Sequence, residues 1–94
     1  MTKYEVKLTA QFRKDYKLAM KQRRDISLLD GIIALLANGE PLPDAHKDHP
    51  LTGNWKGHRE CHITPDWLLV YKIDHGILVL TLTRTGTHSE LFNE

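Results

Sequence analysis

The sequence predicts an α+β fold, in which a pair of helices covers one face of a largely antiparallel sheet. Three observations predict it: the chain begins with a short alternating segment, continues with two stretches of helical periodicity, and ends with three strand-like runs. Helices and strands that occupy separate parts of a chain are typical of this class. A chain of 94 residues is too short for two cores, so residues 1–94 are predicted to form one domain.

The first predicted element is an N-terminal strand over residues 3–8. Its apolar residues Tyr4, Val6 and Leu8 alternate with charged ones. Alternation with a period of two predicts a strand with one buried face.

Two helices follow and are predicted to form a hairpin. Thr9 suits the N-cap of the first helix, which is expected to end near Gln22, and Asp25 suits the N-cap of the second. Asn38 and Gly39 tolerate the left-handed conformation that ends helices. The predicted buried stripes are Phe12, Tyr16, Ala19 and Met20 in the first helix and Leu29, Ile32, Ile33 and Leu36 in the second.

The second half of the chain is predicted to be a long loop and an antiparallel meander. Residues 39–57 are expected to be irregular because glycine and proline interrupt them repeatedly. Strands are expected at 58–63, 67–73 and 77–83, and the middle one, apolar on both sides, should be central and covered twice. Arg84 is expected to share a face with Leu78, Leu80 and Leu82. Residues 87–92 are predicted to form a helical turn capped by Thr87 or Ser89.

Composition excludes some classes of protein. No apolar run approaches the ~20 residues that span a bilayer, and the N-terminus lacks the apolar segment of a secretory signal. The single cysteine, Cys61, excludes an internal disulfide and fits a reducing cytoplasm. We therefore expect a cytoplasmic protein without a membrane partner.

The net charge of +1 conceals a strong asymmetry. Residues 1–24 carry eight basic and two acidic side chains, whereas residues 25–94 carry five basic and ten acidic ones. Helical spacing places four of the basic residues on one ridge of the first helix: Arg13, Lys17, Lys21 and Arg24. Such a ridge either attracts a polyanion or is merely a solvated helix face.

Four of the six histidines fall in two short segments, 47–67 and 84–92. The same segments contain Asp66 and Arg84. Imidazole acts as base or acid near neutral pH, since its unperturbed pKa is ~6.5. The arginine fork matches phosphate oxygens and keeps its charge. These residue types are the ones that metal-free RNA cleavage requires.

The chain contains three motifs in a fixed order: KDHPLTGNWKG, HITPDW and RTGTHSELF. Through these motifs it resembles the RelE/ParE superfamily of bacterial toxins and, within it, the YafQ branch. The resemblance covers nearly the whole chain. It implies a RelE-like fold and a ribosome-dependent mRNA endonuclease that needs no cofactor or metal. It also implies three partners, namely the ribosome, mRNA and a cognate antitoxin that neutralises the toxin.

The resemblance further implies a set of site residues. The catalytic candidates are His49, His62, Asp66, Arg84 and His88. Arg84 is expected to stabilise charge on the phosphate and His88 to act as general acid, while the base is His49 or His62, alone or with Asp66. Trp67 and Phe92 are expected to stack on bases. The basic ridge is expected to dock on ribosomal RNA.

The sequence leaves two alternatives open. One is a zinc site built from His46, His49, His58, His62 and Cys61. Against it, His58 and His62 on one strand would stand roughly 13 Å apart. The other is a non-enzymatic, ParE-like toxin that binds a protein target, although such chains typically lack the acid–base residues present here. The role of His58 is left open.

Overall fold

Eight helices and strands make up the structure, a computed structural model that describes residues 2–92. In chain order they are β1 (Glu5–Leu8), α1 (Ala10–Lys21), α2 (Ile26–Ala37), β2 (His49–Pro50), β3 (Arg59–Thr64), β4 (Trp67–Asp74), β5 (Val79–Gly86) and α3 (His88–Phe92). Short 3₁₀ turns occupy Asp44–His46 and Gly53–Trp55. The α+β class is confirmed. Because Met1, Asn93 and Glu94 lie outside the described range, the single domain over residues 1–94 stays a prediction.

The five strands form one sheet in the order β1-β5-β4-β3-β2. Strands β3, β4 and β5 make the predicted antiparallel meander, whereas β1 joins β5 in parallel. Every residue from Trp67 to Tyr71 is buried. This confirms that β4 is central and covered on both faces.

The helices begin where the sequence predicts. The Thr9 hydroxyl accepts a hydrogen bond from the Phe12 amide (2.9 Å), and the Asp25 carboxylate accepts one from the Ser27 amide (3.1 Å). Helix α1 packs on β5 and α2 on β3, enclosing the main core. No helix in residues 2–92 is both long and apolar enough to cross a bilayer.

The predicted burial of the first strand and helix is partly wrong. Val6 and Leu8 are 38% and 41% exposed, and Met20 is 52% exposed. The reason is that β1 is the edge strand and α1 lies over β5, which leaves an open groove between α1 and β1 lined by Val6, Leu8 and Met20.

The last strand is also shifted from its predicted position. It spans Val79–Gly86, and Leu78 lies in the preceding turn with a φ of +56°. Leu82 pairs with Tyr71 and Arg84 with Val70, so Thr83 is an extra residue, a β-bulge. The bulge removes Arg84 from the face that Leu80 and Leu82 share, which corrects the predicted alternation.

The segment predicted as irregular contains a short edge strand, β2, that pairs with β3. Together with α3 it covers the sheet face opposite α1 and α2. A second, smaller cluster lies beneath it: Leu68, Val70 and Leu91 are buried, with Leu51, Trp55 and Phe92 packed against them.

Candidate active site

One carboxylate oxygen on β3 faces three imidazole rings. Oε1 of Glu60 lies 3.8 Å from Nε2 of His49, 3.7 Å from Nε2 of His62 and 3.8 Å from Nε2 of His88. The Glu60 side chain is 3% exposed, whereas the three imidazoles are 46%, 22% and 53% exposed. The group is therefore closed on the carboxylate side and open to solvent on the histidine side. We call these four residues the histidine cluster.

The fold gathers the cluster from three elements. His49 stands directly opposite Glu60 in the β2–β3 ladder, and His62 lies two residues further along the same face of β3. His88 opens α3, and its ring centroid lies 6.4 Å from that of His62. Three of the predicted catalytic histidines thus meet around one carboxylate.

Helix α3 is fixed by a reciprocal cap. The Thr87 amide donates to Glu90 Oε1 (2.8 Å), and the Glu90 amide donates to the Thr87 hydroxyl (3.2 Å). The bond from the Thr87 amide lowers the pKa of Glu90. The predicted capping by Thr87 is confirmed, and it determines where His88 enters the site.

Hydrogen bonds orient two of the rings. His49 Nδ1 lies 2.7 Å from the Lys47 carbonyl oxygen, and His62 Nδ1 lies 3.3 Å from that of Pro65. A carbonyl oxygen only accepts, so Nδ1 carries the hydrogen in both rings. In the neutral rings the lone pair is therefore on Nε2, which is free to take a proton. Oε1 of Glu60 faces both of these Nε2 atoms.

Glu60 has no role in the sequence-based prediction. Alternation places it on one face with His58 and His62, but neither β2 nor its pairing with β3 was predicted. The pattern His-x-Glu-x-His in a strand is the one signal that pointed to it.

A cavity of about 280 Å³ adjoins the histidine cluster. It is lined by His49, Leu51, Thr52, Trp55, Glu60, His88 and Phe92. The Phe92 ring lies 5.4 Å from that of His88 and 5.6 Å, edge to face, from that of Trp55. Phe92 thus lies beside the predicted histidines. Trp55, from the WKG motif, is an aromatic residue that sequence reasoning assigned no role.

Trp67 lies in the main core rather than at the site. It is 1% exposed, and the guanidinium of Arg24 lies 5.3 Å from its ring centroid. A ring so enclosed cannot stack on an RNA base, which corrects its predicted role.

The Arg84 side chain is held by α1. Its Nε and Nη2 donate to the carboxylate of Asp15 at 2.8 and 3.2 Å. Across the sheet Glu60 pairs with Val70 and Val70 with Arg84, so about 10 Å separates the Cα atoms of Glu60 and Arg84.

Asp66 stands apart from the other candidates. It is exposed in the turn between β3 and β4, where its carboxylate accepts a hydrogen bond from the Thr64 hydroxyl (3.0 Å). The structure does not place it against Glu60 or the imidazoles that surround it.

The zinc site considered from the sequence is not assembled. Within residues 2–92 no group of three or more His, Cys, Asp or Glu side chains has metal-holding geometry. His46 Nδ1 is bound to the His62 carbonyl oxygen (2.7 Å). Cys61 is fully buried, and its pKa is raised to about 12 by burial and then by the charges of Asp48 and Glu60.

The basic ridge borders an apolar groove. Arg13 and Lys17 line a cavity of about 480 Å³ between α1 and the edge strand β1, together with Val6, Leu8, Phe12, Tyr16, Met20, Ile33 and Leu82. The Arg24 guanidinium lies over the Trp67 ring, so it is less available to bind a polyanion than a fully solvated side chain would be.

Comparison with known proteins gives one consistent result. A toxin of Escherichia coli K12 named mRNA interferase toxin YafQ is 44% identical over 93 residues, which cover 98% of this chain and 99% of that protein. The crystal structure of the E. coli DinJ-YafQ toxin–antitoxin complex matches with a TM-score of 0.88 and 44% identity, covering 96% of this chain and 98% of that one. A metal-bound toxin from Helicobacter pylori matches with a TM-score of 0.89 and 43% identity over 98% of this chain and all of its own. The model of the YafQ family, bacterial toxins of type II toxin-antitoxin systems, matches residues 4–93, and this chain belongs to that family.

Proposed function

We propose that this protein is an mRNA interferase, an endoribonuclease that cuts mRNA on the ribosome and so inhibits translation in the cytoplasm. The observation that carries the proposal is the histidine cluster, in which three imidazoles surround one buried carboxylate beside an open aromatic cavity. The 44% identical E. coli protein is named an mRNA interferase.

The proposed reaction is attack by the ribose 2′-oxygen on the adjacent phosphorus. Nε2 of His49 or His62 takes the 2′-OH proton as the bond from 2′-oxygen to phosphorus forms. The imidazolium of His88 gives a proton to the 5′-oxygen as its bond to phosphorus breaks. Positioned acid–base groups typically contribute ~10²–10⁴-fold each. Asp66 stays in the proposed set as an exposed carboxylate of the β3–β4 turn, and no contact assigns it a step.

Arg84 supplies the positive charge for the phosphate in this proposal. Nε and Nη2 of the Arg84 guanidinium donate hydrogen bonds to Asp15, so Nη1 can donate to a phosphoryl oxygen. Asp15 is thereby the group that orients Arg84. Phe92 and Trp55 border the cavity, where they can stack on a base next to the scissile bond.

Two macromolecular partners complete the proposal. The basic ridge Arg13, Lys17, Lys21 and Arg24 contacts ribosomal RNA, with binding that weakens as salt rises. A cognate antitoxin covers the apolar groove, which takes an amphipathic segment whose acidic residues face Arg13 and Lys17. The E. coli relative is seen in complex with the antitoxin DinJ.

The test is primer extension on mRNA with programmed ribosomes, alongside a growth-arrest assay. We expect new 5′ ends with the unaltered protein and none with His88→Ala or Arg84→Ala. His75→Ala is the matched control, because His75 is an exposed histidine of the β4–β5 turn. Full toxicity of both site variants would show that the site is wrong. Growth arrest without any new ends would favour the non-enzymatic, ParE-like alternative.

The partner surfaces are separated by a second set of variants. Alanine at all four ridge positions should weaken binding to ribosomes. Val6→Ser with Leu8→Ser should weaken antitoxin binding and leave ribosome binding unchanged. Unchanged ribosome binding by the ridge variant would make the ridge a solvated face.

A further inference from the structure

The segment that carries His49 has little regular structure to hold it in place. Strand β2 has two residues and pairs with β3 at two positions. Its outer side is an edge of the sheet. Lys47, just before it, has a φ of +48°. A ladder this short determines the position of a side chain weakly, so another contact must fix His49 over Glu60.

That contact lies on the opposite face of the sheet. Asp48 precedes β2, and its carboxylate contacts Tyr71 of the main core, whereas His49 faces Glu60 on the other side of the sheet. The Asp48 carboxylate accepts hydrogen bonds from the Tyr71 hydroxyl (2.5 Å) and from Nε and Nη2 of Arg59 (3.3 and 3.4 Å). Arg59 and Tyr71 are themselves cross-strand neighbours on β3 and β4.

Tyr71 is a rigid anchor for this contact. It is 1% exposed and belongs to the main core, on the central strand. Burial, followed by the hydrogen bond to Asp48, raises the pKa of its hydroxyl, which therefore stays protonated and keeps donating. The anchor connects the buried central strand to the segment before His49.

From these contacts, and on the basis of the proposed function, we infer that Asp48, Tyr71 and Arg59 are positioning residues that hold His49 Nε2 against Glu60. They act through the backbone of residues 47–49 rather than on the RNA. The same backbone supplies the Lys47 carbonyl that orients the His49 ring. Loss of the anchor should therefore affect both the position and the tautomer of His49.

The principal test is Tyr71→Phe, which removes one hydroxyl and keeps the ring. We expect the turnover rate on programmed ribosomes to fall about tenfold with KM unchanged, less than the hundredfold that a 1 Å misplacement can cost. The imidazole ¹⁵N resonances of His49 should move toward those of a free tautomer mixture. Asp48→Asn should lower the turnover rate in the same way.

Tyr4→Phe is the matched control. Tyr4 is also a buried tyrosine, 3% exposed, and its hydroxyl lies 3.3 Å from His75 Nδ1, away from the site. It should lower the melting temperature as Tyr71→Phe does, with the turnover rate and the His49 resonances unchanged. Equal turnover rates in the two Phe variants would overturn the inference.

A double-mutant cycle separates this inference from the proposed function. If the anchor acts through His49, Tyr71→Phe should have no further effect in a His49→Ala background. If each substitution instead lowers the turnover rate by the same factor in either background, the anchor does not act on His49. A fully active His49→Ala variant would instead contradict the role of His49 in the proposed function.

Discussion

The substitution Glu60→Gln tests the chemistry of the histidine cluster most directly. It replaces a buried carboxylate, 3% exposed, by a neutral amide of nearly the same shape. The variant keeps the packing of β3 and removes the charge that faces the three Nε2 atoms. We expect it to fold and to bind ribosomes like the unaltered protein.

The size of the effect follows from the distances. Two unit charges 4 Å apart attract by about 1 kcal/mol in water and about 4 kcal/mol near a protein surface. Glu60 lies 3.7 Å from His62, which is 22% exposed, and 3.8 Å from the more exposed His49 and His88. Solvent screens the exposed pairs, so we expect a loss of about 1.4–2.7 kcal/mol of transition-state stabilisation. That loss corresponds to a roughly 10- to 100-fold lower rate.

The assay is single-turnover cleavage of mRNA on programmed ribosomes. Glu60→Gln should lower the maximal rate and leave the ribosome concentration for half-maximal rate unchanged. The reason is that the carboxylate acts on the imidazolium that the base, His49 or His62, forms when it takes the 2′-OH proton. Glu60→Asp, which keeps the charge, is the control and should retain more of the rate. Cleavage by Glu60→Gln within twofold of the unaltered protein would refute the reasoning.

Three further predictions follow from the structure. Trp67→Ala should lower the unfolding free energy by about 3–5 kcal/mol in a denaturant titration, because it removes a buried aromatic side chain. Phe92→Ala should mainly impair cleavage. The opposite pattern would indicate that Trp67 acts at the site. Treatment with EDTA should leave cleavage unchanged, because the proposed base, acid and cation are all side chains; stoichiometric zinc in the purified protein together with activity lost to the chelator would contradict this. Burial raises the pKa of the Cys61 thiol from 9.0 to about 12 in the folded state. The neutral thiol therefore stabilises the fold fully below pH 9, and this stabilisation is lost as the pH rises toward 12. Between pH 9 and 10 the unfolding free energy should fall by about 1 kcal/mol, and Cys61→Ala should show a smaller decrease over the same interval.

The sequence by itself determined the class and order of the elements, because these depend on local patterns. The caps at Thr9, Asp25 and Thr87 and the doubly apolar run of β4 depend on neighbouring residues alone, and each was predicted correctly. The motifs that resemble the YafQ branch also lie within short segments, so the family was recognisable from the chain alone.

The tertiary structure alone decided which of the candidate residues meet. Glu60 lies at the site because β2 pairs with β3. A strand of two residues has no recognisable sequence pattern, so this pairing could not be predicted. Trp67 is buried in the core under the helices, and Arg84 bonds to Asp15 because α1 lies over β5. Local periodicity fixes which face a side chain takes within one element, but register and helix placement are long-range. They therefore determined the composition of the site.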